Sequence, residues 1–166
     1  MWPFGKITIQ KITFRNSTVL GATEEELKKN VQDVEGVIAE LGKKVEGEKE
    51  NPIKGIVSEI STYRVHGCLV ENEAAVMGGS LEHDVTICGS PKNVKRVQNK
   101  LFTRAPDLFK HISFAPEERE KCIEENTFQF PRGFDFRRCN SVTDVVNEWL
   151  TESALEHGLF MGREKR

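Results

Sequence analysis

Two short stretches carry the most reactive side chains of the chain, His66-Gly67-Cys68 and Asp84-Val85-Thr86-Ile87-Cys88. A thiol, an imidazole and a carboxylate can supply a nucleophile, its base and an orienting group. The same types bind zinc when three or four of them converge. Read as strands with alternating faces, these stretches put Arg64, His66, Cys68, Asp84, Thr86 and Cys88 on one side of a sheet, with Thr8 and Gln10 alongside. His66, Cys68, Asp84 and Cys88 are the catalytic candidates. His83 has the opposite parity from Cys88 and does not share that face. None of Cys68, Cys88, Cys122 and Cys139 forms a Cys-x-x-Cys knuckle, so no metal site and no cofactor are expected. Such an open polar face is also what an ordinary sheet shows to water.

A second kind of chemistry is electrostatic. Lys92, Lys95, Arg96 and Lys100 recur on one arc of a helical segment spanning 91–104, opposite Val94, Val97 and Leu101. Arg104 and Lys110 extend the charge. The stripe suits phosphates or an acidic protein surface, and it equally suits the solvated face of an amphipathic helix.

The third feature lies at Arg132-Gly133-Phe134-Asp135-Phe136. It resembles the first half of the central RNP signature of RNA-recognition-motif domains, and Ser141-x-x-Asp144-Val145 is similar to the start of the helix that follows it. The resemblance implies stacking of single-stranded bases on the two aromatics, with Arg132, Arg137 and Arg138 on phosphates. The chain departs from the signature at Asp135, Arg137 and Cys139, and the partner strand offers Thr86 where an aromatic belongs. Period-2 aromatics read without the signature put Phe128, Phe130, Phe134 and Phe136 in a core.

The elements that position these residues follow from periodicity and punctuation. Lys6 to Arg15 is a strand whose apolar parity changes between Ile9 and Ile12, which implies a bulge or cover on both faces. Thr23 and Glu26 form a capping box for a helix with Leu27, Val31, Val34, Ile38 and Leu41 inward and Gly42 as its stop. Residues 56–70 read as extended, 72–80 as a connection or hairpin and 84–88 as a strand. Ser90 and Pro91 open the second helix. Leu108 to Phe114 reads as a strand and Pro116 to Asn126 as an acidic helix. A hairpin follows around Pro131-Arg132-Gly133. A last helix starts at Asn140 or Ser141, buries Val142, Val145, Val146, Trp149 and Leu150, and ends at Gly158. Leu159 to Met161 reads as an edge strand.

The predicted fold is therefore α+β: a ferredoxin-like βαββαβ antiparallel sheet with helices on one face, plus a C-terminal ββα extension, in one domain over 1–166. With 37% apolar and 30% charged residues, the chain is neither disordered nor membrane-like in composition. Twenty-four Lys and Arg against 26 Asp and Glu give a net charge of −2, which disfavours wrapping of duplex DNA. No signal-peptide core and no bilayer-length apolar run is found, so the cytoplasm is the expected address. The functional expectation is a non-enzymatic module for a protein partner, including a second copy through a sheet edge. Single-stranded RNA binding is the alternative, and a small cysteine- or metal-dependent enzyme the third reading.

Overall fold

The computed structural model describes residues 5–14, 24–45, 57–77, 80–106, 123–130 and 134–156. They form a mixed α+β architecture, with an antiparallel sheet of six strands and three α-helices. In chain order these are β1 (Lys6–Phe14), α1 (Glu24–Leu41), β2 (Lys43–Lys44), β3 (Val57–Val65), β4 (Cys68–Met77), β5 (Ser80–Gly89), α2 (Pro91–Arg104), β6 (Ile123–Gln129) and α3 (Val142–Glu156). The sheet order is β2-β3-β4-β5-β1-β6, which is more than a simple βαββαβ unit contains.

β1 lies between β5 and β6 and is covered on both faces. Its pairing is continuous from Lys6 to Ile12 on β6 and from Thr8 to Phe14 on β5, so the parity change marks double cover and not a bulge. Its even residues point under α1 and α2. There Ile12 and Phe14 join Val34, Ile38, Val65, Val70, Val85, Ile87, Val94, Val97 and Leu101 in one core. Its odd residues point to a second cluster, in which Ile7 meets Leu69, Cys88, Phe130, Phe134, Phe136, Cys139 and Val145. A helix thus packs on the sheet face expected to be open. Covering both faces removes apolar area that a two-layer fold would leave in water.

The helix ends follow local chemistry. Ser90 accepts the Asn93 N–H at 3.3 Å, and Pro91 sits at the first turn, where its missing donor costs nothing. Ser141 accepts the Asp144 N–H at 3.0 Å, while Asp144 accepts the Asn140 N–H at 3.0 Å, a reciprocal cap for α3. Gly42 closes α1 for a steric reason: a Cβ there would lie 2.1 Å from the Arg64 carbonyl oxygen. Val34 and Ile38 are fully buried, Val31 and Leu41 half-buried. Thr23, and the side chains of Glu26 and Leu27, lie outside the described residues.

Several expected elements are redrawn. Within the extended run 56–70, Val57 onward forms a tight hairpin, because His66 (φ 45°) and Gly67 (φ 80°) both take the left-handed conformation and reverse the chain between Val65 and Cys68. The stretch 72–80 takes the hairpin form, since β4 continues to Met77 and Met77 pairs with Ser80 of the antiparallel β5. Residues 123–126 are strand and not helix: Ile123 to Asn126 pair with β1, and cross-strand pairing overrides their acidic composition. Among the described residues no second strand follows β6, because Phe136–Arg138 is a 3-10 turn capped by Asp135. The expected strands at 108–114 and 159–161, and the helix end at Gly158, lie outside the described residues.

Candidate functional site

The residues proposed for catalysis do not meet. His66 is exposed in the β3–β4 turn and not on a sheet face. Cys68, expected on the open face, points into the core beneath α1 and α2, because the turn resets the parity of β4. Thr8 and Gln10 are likewise on that helix-covered face. Arg64, Asp84, Thr86 and Cys88 share the other face as expected, yet Cys88 is covered by the α3 cluster. Asp84 lies four residues along β5 from Cys88, roughly 13 Å away by strand geometry. Its charged neighbour is Lys11 at 3.7 Å.

Burial also blunts the described thiols as nucleophiles. It pushes the Cys68 thiol up to about 12 and the Cys139 thiol up to about 11, and it raises Cys88 as well, with nearby Cys68, Glu71 and Cys139 adding to the effect. A thiol held above its ordinary value is protonated at neutral pH and a poor nucleophile. No group of three or more His, Cys, Asp or Glu among the described residues is arranged to hold a metal ion.

His83, placed by its parity on the face opposite Cys88, is tightly constrained. It is fully buried and stacks on Phe14 with ring centroids 4.5 Å apart. Asn72 donates from Nδ2 to the Val31 carbonyl at 3.1 Å, so its Oδ1 accepts from His83 Nε2 at 2.6 Å. His83 Nδ1 then accepts from Asn30 Nδ2 at 3.4 Å. Both ring nitrogens are used by the neutral imidazole, and burial pushes its pKa down to about 4. The triad joins α1 to β4 and β5 and is structural.

The aromatic pair Phe134 and Phe136 is buried, at 4% and 5% exposure. Phe130 and Phe134 meet edge-on at 4.4 Å, and Phe130 lies 6.2 Å from Trp149. These rings offer no face to a base. Arg137 and Arg138 are exposed, and Arg137 bonds Asp135 from both its backbone N–H (3.0 Å) and its Nε (3.1 Å), holding that carboxyl below its ordinary range. Arg132 lies outside the described residues.

α2 keeps its expected character. Lys92, Lys95, Arg96 and Lys100 are all exposed, and the helix contains no Asp or Glu. None of the four pairs with an acid among the described residues. The fifth cation, Arg104, bridges to Glu40 of α1. Beside it lies a groove of about 270 Å³ lined by Leu41, Asn99, Lys100, Thr103 and Arg104.

No protein-family model matches the chain, and no curated protein matches it significantly. The site therefore rests on its own geometry. No helix among the described residues is long and apolar enough to cross a membrane.

Proposed function

We propose that the chain is a protein-interaction module whose α2 face docks an acidic segment of a partner. The observation that carries this reading is the exposed arc Lys92, Lys95, Arg96 and Lys100 on a helix without a single acid, in a chain of net charge −2. Cations gathered on one helix give a local positive field that an acidic partner would lower. The adjoining groove adds an apolar floor at Leu41 and the side-chain amide of Asn99. RNA is disfavoured because the only large hydrophobics strongly exposed among the described residues are Val146 and Leu150, neither of them aromatic. Single-strand binders stack bases on aromatic rings. The run β4-β5-β1-β6, with α1 and α2 on one face, supports a ferredoxin-like reading in which β2 and β3 extend one edge.

The test is anisotropy with a labelled oligoglutamate peptide and a labelled single-stranded RNA, side by side. The expected result is micromolar peptide binding that weakens with salt and falls at least tenfold in Lys95→Glu/Lys100→Glu. Tighter binding of the RNA overturns the reading in favour of nucleic acid, and binding to neither probe overturns it outright.

A further inference from the structure

We propose that the acidic segment docked on α2 is extended and carries one large apolar side chain. That side chain enters the groove beside Leu41, and a neighbouring carboxylate of the segment takes Arg104 from Glu40. This rests on the reading of α2 as a site for an acidic segment, and it names the pattern that the segment must have.

Four cations of α2 fall in one row. Lys92, Arg96, Lys100 and Arg104 are spaced by four residues, so they stand about 6 Å apart along the helix axis. Each step of four also turns the row by about 40°, which carries it from the exposed Lys92 towards α1 at Arg104. Contacts at the far end agree. Arg104 bonds Glu40 of α1, and Leu41 of α1 lines the groove together with Lys100 and Arg104. An extended chain sets alternate side chains on one side, about 6.6 Å apart. Acids at every second position of such a segment therefore meet successive cations of the row.

The groove calls for a different group. Its wall is mostly apolar, made by Leu41 and the hydrocarbon parts of Lys100, Thr103 and Arg104. At about 270 Å³ it is smaller than most small-molecule pockets and suits a single large side chain. Leu41 is half-buried where it packs on the core, and an apolar group laid on it leaves water without entering that core. Arg104 is where the two parts join. Among the described acids of α1, Asp33 pairs with Lys29 and Glu35 accepts from the Tyr63 hydroxyl at 2.8 Å, whereas Glu40 meets α2. The Glu40 and Arg104 side chains are 61% and 51% exposed, and so exposed a pair contributes little to stability. Exchange of Glu40 for a carboxylate of the partner is therefore easy, and Glu40 is a built-in competitor for acidic segments.

Anisotropy with labelled peptides tests the pattern. A peptide of alternating Glu and Ser ending in Leu-Glu, made in both chain directions, is compared with the same peptide carrying Ser for Leu. In its better direction the Leu peptide should bind about tenfold tighter than its Ser counterpart. Thr103→Trp, which fills the groove from an exposed position, should bring that ratio to about one. Glu40→Gln should tighten binding of the Leu peptide about two- to fivefold, and the gain should vanish when Arg104→Gln is added. Equal binding of the Leu and Ser peptides to the parent overturns this inference and leaves the α2 reading standing, whereas binding of neither overturns both. A Leu preference that survives Thr103→Trp removes the groove from the site. A Glu40→Gln gain that is absent, or that persists with Arg104→Gln, overturns the exchange at Arg104. A two-chain mass by sedimentation that Lys100→Glu returns to one chain gives the row to a second copy and overturns the separate partner.

Discussion

Acid should unfasten α1 through His83. The neutral ring accepts from Asn30 at 3.4 Å and donates to Asn72 at 2.6 Å, and no charged side chain contributes to the lowering of its pKa to about 4. In the unfolded chain the ring has its ordinary value of about 6.5. Between these values the unfolded state binds a proton that the folded state refuses, so stability falls as pH falls. The contribution is complete above pH 6.5, and protonation linkage removes about 1 kcal/mol of it by pH 6, about 2 by pH 5 and about 3 by pH 4, after which the curve flattens. Carboxylates titrate in the same range, so the measurement is a difference. Urea midpoints of the parent and of His83→Gln, taken from pH 7 to pH 4, should show the parent more stable at pH 7 and the gap narrowing by about 3 kcal/mol at pH 4. A gap that stays constant over that range, or a His83 ring that titrates near its ordinary value by NMR in the folded protein, refutes the argument.

Two further outcomes follow from the α3 side of the sheet. Phe136→Ala should cost roughly 3–5 kcal/mol in denaturant unfolding, as for a buried aromatic truncated in a close-packed cluster. An unchanged midpoint shows that the ring is not part of the core. Glu71→Ala removes the carboxylate that accepts the Val142 N–H at 2.9 Å at the start of α3 and should cost about 1–2 kcal/mol, while Glu71→Gln should cost less than half as much. Equal costs for the two variants show that the hydrogen bond is irrelevant and charge alone matters.

What could be read in the sequence was local, and what could not was set by turns and layers. α2 was legible because Ser90-Pro91 opens it and Val94, Val97 and Leu101 keep one spacing. The burial of Phe134 and Phe136 was legible from spacing alone, since large rings rarely stay in water. Their backbone was not, because Asp135 caps a 3-10 turn that alternation cannot reveal. The misplacement of Cys68 traces to two residues. Only a reversal at His66-Gly67 sets its parity, and a His in the left-handed region lacks the familiar Asn-Gly signal. His83 was invisible as a structural group because an alternating strand does not say whether a polar residue faces water or a buried amide. The covered second face depended on where α3 packs, which is a tertiary fact.

The polar contacts that sequence pattern missed have a common logic. Each α-helix has its own polar tie to the sheet. α1 is held through His83, Asn72 and Asn30. α2 is held through Gln10, whose Nε2 donates to Gln98 and to Glu125 of β6, each at 2.9 Å. α3 is held through Glu71 at its first turn and through Arg64, which donates to the Cys139 carbonyl at 2.6 Å and to Asn140 Oδ1 at 2.7 Å. Apolar burial drives each helix onto the sheet but is indifferent to small slides along it. A buried donor left without its acceptor costs more than a slide gains, so each tie penalises the wrong seat. The surface is organised differently. Lys92, Lys95, Arg96 and Lys100 make no such ties among the described residues.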